Sequence, residues 1–234
     1  MKKYLLAFVL LTTVLKSSFA GEKLKLGIKV NPCISFASVK DKDSKDGTGY
    51  SSNGSSLRFI VGPYIDYMIN DNVFFSFGLW YSPRAIKIAS TVVDSFGVSR
   101  DYASHYNAQY LMVPLYFKFY TNEISTGLKL YFTLGGSADF KIAEKNVGDK
   151  DPVGLKEKAV NEKQQLFSFF DAGLLLGAGV EYKLGTITTV YAGLSYNRGL
   201  INTINPLFSS NGFKPYQHLA IKNNLVGLDL GVKF

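Results

Sequence analysis

The chain has 234 residues, of which 47% are apolar and 15% aromatic, and it carries a formal net charge of +8. Its 15 Tyr, 18 Phe and 22 Gly favour β structure, because aromatic side chains suit a pleated surface and glycine suits tight turns. A single cysteine, Cys33, excludes an internal disulfide scaffold.

The first twenty residues predict a secretory signal peptide. The chain starts with Met-Lys-Lys, residues 4–15 are apolar, and small residues precede a cleavage point after Ala20. The apolar run ends at Lys16, short of the ~20 residues that a membrane-spanning helix needs. We therefore expect a signal peptide at 1–20 and one mature domain at 21–234. Loss of three lysines lowers the net charge from +8 to +5, which is weak evidence for a nucleic-acid partner. Export disfavours nucleic acid further and makes phosphorylated lipid head groups the more natural counterpart.

Apolar and polar side chains alternate in eight long segments. Strict alternation over 13 to 15 residues predicts a strand with one apolar and one polar face. The predicted strands are roughly 23–39, 57–69, 73–90, 106–121, 127–143, 166–184, 187–201 and 218–234.

The connections between these segments alternate in length. Short polar turns at 70–72, 121–126 and 185–186 alternate with long hydrophilic stretches at 40–56, 91–105, 144–165 and 202–217. Short periplasmic turns and long extracellular loops are the plan of a barrel of the outer membrane. The sequence thus predicts an all-β fold, an eight-stranded antiparallel up-and-down transmembrane β-barrel, with its loops as a binding surface.

The polar face of the segments is rich in Gly and Ser and carries few charges, which suits a narrow interior. An unpaired charge in such an interior costs several kcal/mol, so charges of both signs are expected to pair. An eight-stranded barrel is filled by its own side chains, which argues against a diffusion porin. The charges expected to point inward are Lys25, Lys29, Asp66, Arg84, Lys118, Lys129, Asp139, Asp171, Glu181 and Asp229.

The last residues, "VGLDLGVKF", predict a strand that closes the barrel against the first one, because open sheet edges are not tolerated in lipid. Its outward row is Val226, Leu228, Leu230, Val232 and Phe234. The terminal aromatic Phe234 resembles the signal that the barrel assembly machinery recognises, so that machinery is an expected partner. Leu174 is assigned to the lipid-facing row, so an Arg there should hinder assembly by ~2–4 kcal/mol if the residue sits at the lipid midplane. Members of the interface belts are expected among tyrosines such as Tyr64, Tyr67, Tyr110, Tyr120 and Tyr182.

The mature sequence resembles the PorT-like outer-membrane β-barrel family, typical of Bacteroidetes. The resemblance lies in "LKLGIKVNPCISF" (24–36), "GPYIDYMINDNVFFSFGLWYS" (62–82), "QYLMVPLYFKFYTNEI" (109–124), "FDAGLLLGAGVEYKLG" (170–185) and "NNLVGLDLGVKF" (223–234). Met112 departs from the family pattern, which has an acidic residue there. The resemblance implies the fold and an outer-membrane location, with lipopolysaccharide as surrounding lipid. One branch of the family belongs to the type IX secretion and gliding apparatus, which implies a possible envelope protein partner.

Residues with catalytic potential are few. His105 follows Ser104 and lies near Asp101, and His218 starts the last strand, so a lipid A-modifying enzyme is one alternative. However, adjacent residues on a strand point to opposite faces, and no metal-ligand spacing or phosphate loop is present. We therefore predict no catalytic residue, no metal and no cofactor. A structural or interaction role is expected first, a type IX secretion component second, and a small-solute channel or an enzyme third.

Overall fold

The computed structural model describes residues 23–41, 49–93, 96–147, 166–205 and 219–234, and the regular elements in these residues are strands. They are β1 (Leu24–Asp41), β2 (Gly49–Ser52), β3 (Ser55–Asn70), β4 (Val73–Gly78), β5 (Trp80–Val93), β6 (Ser99–Tyr120), β7 (Leu128–Asn146), β8 (Phe170–Lys183), β9 (Thr189–Gly199) and β10 (Leu219–Lys233). Within these ranges, no helix has the length and the apolar character needed to cross a membrane. The predicted signal peptide lies outside the described residues.

The strands form one antiparallel sheet that closes on itself. β10 pairs with β9 on one side and with β1 on the other, and β1 pairs in turn with β3. β4 and β5 together fill the position between β3 and β6, so the wall has eight positions. Beyond the last strand, the amide of Phe234 donates to the carbonyl of Leu26 at 2.7 Å, which completes the closure. The predicted all-β, up-and-down fold is confirmed.

A row of paired residues does not return to its starting point on a circuit of the wall. From Arg198, successive pairings lead through β8, β7, β6 and β4 to Ile65 of β3. In the other direction they lead through β10 and β1 to Ser55 of β3, ten residues away from Ile65. This offset tilts the strands relative to the barrel axis, as closure of a sheet into a barrel requires.

Side chains alternate between the two faces of the wall, with apolar side chains outside. On β1, Ile28, Val30 and Ile34 are exposed, whereas Lys29 and Asn31 between them are buried. The expected outward row of the last strand follows the same rule, since its members other than the half-buried Val232 are exposed: Val226, Leu228, Leu230 and Phe234. A soluble sandwich has the opposite arrangement, because its apolar face is the one that packs inward.

The predicted third strand is interrupted, which the alternation did not indicate. It divides at Leu79 into β4 and β5, and its neighbour β6 begins at Ser99, well before the predicted position 106. The cause is a close approach of two backbones. A Cβ atom on Gly62 of β3 would lie 2.2 Å from the carbonyl oxygen of Leu79 and 2.7 Å from the Cα of Trp80. Only glycine fits at this crossing.

Beyond the crossing, β5 leaves the edge of β3 and passes along the inner face of the wall. Val61 and Tyr81 form the one pairing between β3 and β5, and β5 continues against the short strand β2. The backbone amide of Ala85 on β5 donates to the Ser35 hydroxyl of β1 at 3.1 Å. β5 therefore lies on the inner side of β1. In the extracellular half of the barrel, the two strands overlap and the wall is two layers thick.

Side chains join the two sides of the overlap where backbone pairing stops. The Lys87 ammonium donates to the Ser55 carbonyl at 2.9 Å, and the Arg58 guanidinium donates to the Leu57 carbonyl at 3.0 Å. Arg58 also donates to the Asn107 side chain on β6. Free carbonyls at a sheet edge are costly in lipid, and these cations satisfy two of them.

Candidate functional site: the charged interior

A network of four charged side chains crosses the periplasmic half of the barrel. Asp66 of β3 accepts from the Lys118 ammonium of β6 at 3.0 Å and lies 3.4 Å from the Lys233 ammonium of β10. Lys233 also lies 2.5 Å from the Glu181 carboxylate of β8, which accepts from the Tyr120 hydroxyl at 2.6 Å. These contacts connect strands on opposite sides of the wall.

Aromatic rings surround the cation at the centre of this network. The Lys118 ammonium lies 5.1 Å from the centroid of the Tyr64 ring, 5.4 Å from that of Tyr191 and 5.5 Å from that of Tyr131. Tyr191 makes edge-to-face contacts with both other rings, at centroid distances of 5.9 and 6.1 Å. Such a cage favours a cation whose hydration shell has been removed.

A second pair joins the two strands that close the barrel. The Lys29 ammonium of β1 lies 2.8 Å from the Asp229 carboxylate of β10. Asp229 also accepts from the Ser195 hydroxyl at 2.8 Å and from the Asn31 side chain. The Lys29 ammonium stacks over the Trp80 ring at 4.1 Å. The closing seam is thus held from inside by ionic and polar contacts.

The third group of charges lies in the extracellular half of the barrel. Arg84 of β5 binds Asp171 of β8 at 2.7 Å with one terminal nitrogen and Asp139 of β7 with the other. Asn223 of β10 donates to the same Asp171 oxygen at 3.2 Å. The guanidinium lies 4.6 Å from the Tyr110 ring centroid. Because Arg84 comes from the inner strand β5, these contacts hold that strand to the opposite wall.

The structure brings together eight of the ten charges that the sequence predicts inside: Lys29, Asp66, Arg84, Lys118, Asp139, Asp171, Glu181 and Asp229. The other two, Lys25 and Lys129, line the wide periplasmic mouth, and neither has an ion pair within the described part of the chain. Lys25 instead lies 5.6 Å from the Phe74 ring centroid. Met112 is buried on the inner face, where the resembled family has an acid.

Three ionic residues of the interior are absent from the predicted set: Lys233, Lys141 and Glu144. Lys233 alternates with the outward residues of the last strand, so its position in the pattern was a usable signal. Lys141 has the same odd position on β7 as Lys129 and Asp139, so the alternation carried the same signal for it. Its ammonium lies 2.6 Å from Glu144, and the Glu144 carboxylate accepts from the amides of Leu166 and Phe167 at 3.1 and 3.3 Å.

Three tyrosines expected in the interface belts lie inside the barrel. Tyr64, Tyr110 and Tyr120 are buried on the inner face, whereas Tyr67 and Tyr182 are exposed on the outer wall. The physical reason is their even position on strands whose even side chains point inward, the same face that carries Asp66 and Lys118. Their rings fill the barrel and contact its cations, which an amphipathic belt residue does not do.

The interior leaves little free volume. A cavity of about 20 Å³ lies between Lys29, Trp80, Lys118 and Tyr131, which is room for about one water. A wider space of about 950 Å³ opens at the periplasmic mouth, and Tyr120, Glu181 and Lys233 lie along it. The outer half is filled by a buried apolar cluster that the predicted polar interior did not include: Ala37, Ile86, Ile88, Tyr106, Ala108, Tyr110, Leu166, Phe167, Ile204, Leu219 and Ile221.

The residues with catalytic potential do not converge. Ser104 is buried on the inner face, whereas His105 lies on the outer face, and the Asp101 carboxylate accepts from the Thr91 hydroxyl at 2.7 Å. His218 lies outside the described residues. In the described ranges, no group of three or more His, Cys, Asp or Glu side chains is placed to hold a metal ion.

Residues 17–205 match the family model described as "Outer membrane protein beta-barrel domain". The chain belongs to this family. The predicted outer-membrane location is confirmed, and the more specific PorT-like assignment is not decided by this match. No curated protein matches the chain.

Several solved barrels are similar to this outer-membrane barrel. OprG from Pseudomonas aeruginosa is 18% identical, with a TM-score of 0.47 over 92% of this chain and 98% of that chain. Neisserial surface protein A is 15% identical, with a TM-score of 0.45 over 89% of this chain and 95% of that chain. Ail, the attachment invasion locus protein of Yersinia pestis, is 11% identical, with a TM-score of 0.35 over 89% and 99%.

Proposed function

We propose that the protein is a closed outer-membrane barrel with a structural or binding role, and that it neither conducts solutes nor catalyses a reaction. The observation that supports this proposal is the set of ion pairs across the interior. They join β1 to β10, β3 to β6 and β10, and β5 to β7 and β8. Binding is then the task of the outer wall and of the extracellular loops, since loops on a rigid scaffold commonly carry function.

A conducting path would have to break these pairs. Removing one partner of a buried pair costs about 3–5 kcal/mol, and the network contains several pairs that share partners. The Asp66 carboxylate, for example, faces both Lys118 and Lys233. Thermal opening of such a network is therefore rare. The periplasmic mouth is a blind vestibule in this proposal.

Planar-bilayer recording of the purified, refolded barrel tests the proposal. The wild type is expected to show no stable conductance steps. The double variant Arg84→Ala, Lys118→Ala removes the central cations of both halves and is expected to raise the frequency of conducting events. Lys25→Ala, at the mouth, is the matched control and is expected to behave as the wild type. Stable conductance of the wild type would overturn the proposal.

A second candidate is a PorT-like component of an envelope machine such as the type IX secretion apparatus. Its support is the resemblance of the mature sequence to the PorT-like family as a whole, one branch of which belongs to that apparatus. Purification in a mild detergent distinguishes the two candidates. A stoichiometric envelope protein partner favours the machine, and a lone monomer favours the generic barrel. Lipopolysaccharide and the barrel assembly machinery are proposed partners in either case.

A further inference from the structure

Three basic residues form a diagonal row on the outer wall, near its extracellular end. Lys40 lies on β1, Lys222 on β10 and Arg198 on β9, which are neighbouring strands. Lys222 pairs with Ser38 of β1, so Lys40 is one step above it on the same face. Asn224 pairs with Arg198, so Arg198 is one step below Lys222 on the other side. Diagonal neighbours of this kind lie ~7–8 Å apart, within reach of long side chains.

The sheet alternation fixes the direction of these three side chains. Asn223 and Ile221, on either side of Lys222, point inward, the first to Asp171 and the second into the apolar cluster. Asn197, next to Arg198, donates to Ser137 inside the barrel. Lys40 and Arg198 are exposed and Lys222 is half-buried. The three cations therefore point away from the barrel.

The ion pairs that the described carboxylates form do not include this row. Asp66, Asp139, Asp171, Glu181, Asp229 and Glu144 are engaged inside the barrel. Asp101 is on the outer face, but β6 lies on the opposite side of the barrel, and Asp101 is bound to Thr91. No ion pair is found for Lys40, Arg198 or Lys222 among the residues that the structure describes.

An apolar wall begins directly below the row. Phe36 pairs with Asn224, and the exposed Ile34, Val226 and Leu194 continue the same face toward the membrane centre. A cationic row above an apolar wall matches an amphiphile with an anionic head and acyl chains. The anion must lie at the level of the outer head groups, where an outer membrane presents phosphorylated glycolipid.

We propose that Lys40, Arg198 and Lys222 form a binding site for the phosphate groups of an outer-leaflet glycolipid, lipid A. The acyl chains lie against the wall of Ile34, Phe36, Leu194 and Val226. The site depends on the outer-membrane location and on the outward face of β1, β9 and β10. It does not depend on the closed interior, so a conducting barrel would leave it intact.

The test compares lipid A that carries both phosphates with lipid A from which the phosphates have been removed. Binding to the refolded, detergent-solubilised barrel is measured by native mass spectrometry at low ionic strength. The wild type is expected to prefer the phosphorylated lipid. The variant Lys40→Gln, Arg198→Gln, Lys222→Gln is expected to bind it about 100-fold more weakly, since each cation near an anionic lipid surface adds about a factor of several.

Two control variants distinguish binding at this site from a general effect of the net charge. Lys23→Gln, Lys145→Gln, Lys183→Gln makes the same change of net charge elsewhere and is expected to bind as the wild type. Lys40→Arg, Arg198→Lys, Lys222→Arg keeps the cations and is expected to retain the preference. Equal binding of both lipids by the wild type, which needs no variant, overturns the proposal. An equal loss of lipid A binding in the control Lys23→Gln, Lys145→Gln, Lys183→Gln also overturns it.

Discussion

Arg84 is the side chain that holds two buried carboxylates in the outer half of the barrel. It is 1% exposed, and its terminal nitrogens bind Asp139 of β7 and Asp171 of β8. Arg84→Met leaves both carboxylates without their cation, and loss of one partner of a buried pair costs about 3–5 kcal/mol. We expect the free energy of unfolding to fall by that amount, measured by urea titration of the protein refolded in micelles.

A compensated variant distinguishes the charge effect from a packing effect. Arg84→Met, Asp139→Leu, Asp171→Leu removes the three charges together. Replacement of a buried ion pair by apolar residues of similar volume is often neutral, so this variant is expected to recover most of the stability. An Arg84→Met protein that unfolds at the wild-type urea concentration would contradict the ion-pair description.

Gly62 is the residue that permits β4 to give way to β5. Gly62→Ala places a methyl group against the Leu79 carbonyl and the Trp80 backbone, where a side chain cannot move aside. Overpacking of this kind costs about 1–3 kcal/mol. The expected result is a lower yield of heat-modifiable barrel on gels after refolding. Gly49→Ala on β2 meets nothing within 4 Å and should refold with the wild-type yield. Equal yields for both variants would show that the crossing tolerates a side chain.

At the scale of elements, β8 allows a test of how deep the wall lies in the lipid. Leu174 pairs with Arg198, so it lies beside a charged residue on the extracellular side of the middle of β8. Leu176 pairs with Tyr196, one step deeper, in the middle of the outward row from Phe170 to Tyr182. An Arg costs ~2–4 kcal/mol at the midplane and ~0–1 near the interface.

Leu176→Arg is therefore expected to fold into lipid vesicles with a deficit of about 2–4 kcal/mol, and Leu174→Arg with a smaller one, because Leu174 lies one outward step nearer the extracellular boundary. The free energy is measured by denaturant titration of each variant in vesicles of the same lipid. The two variants add the same side chain to the same strand, so each is the control of the other. A larger deficit for Leu174→Arg would reverse the depth assignment.

The strands themselves were predictable from the sequence because the outward face is apolar over most of their length. An alternation with a period of two over more than ten residues fits a β-strand and no other regular structure. The predicted and observed bounds accordingly agree closely for β1, β7 and β10. The division at Leu79 was not predictable, since it follows from contact between Gly62 and a strand that pairs elsewhere. β2 and the inner course of β5 likewise depend on contacts between segments distant in sequence.

The same distinction applies to the interior charges. The face that each charge occupies follows from the local sequence, whereas the partner that it meets depends on distant segments. Parity on a strand placed Asp66, Lys118 and Asp229 on the polar face, and it would also have placed Lys233 there. Parity does not state which charges meet. The partners of Arg84 come from β7 and β8, and their approach depends on the inward course of β5, which no local pattern records.

At the scale of the whole molecule, the closed wall and the filled interior support each other. The ion pair of Lys29 and Asp229 joins the closing strands β1 and β10 from inside. The same two strands carry Lys40 and Lys222 of the basic row at their extracellular ends. A rigid wall presents its outer face in one geometry, which favours recognition because less conformational entropy is lost on binding. The register of the β1–β10 pairing therefore sets both the position of the inner ion pair and the spacing of Lys40 and Lys222 on the outer face.

Phe234 offers a test of assembly that is separate from stability. Its amide and carbonyl bind Leu26, and these backbone bonds are kept in Phe234→Ala, while its side chain is 55% exposed and fills no core position. The variant is expected to refold in detergent as the wild type but to yield less heat-modifiable barrel in outer-membrane fractions of cells, because the assembly machinery would no longer find its terminal aromatic. Leu184→Ala removes a similarly exposed side chain, at 60%, and should assemble normally. Equal assembly of the two variants in cells would show that Phe234 is not the signal.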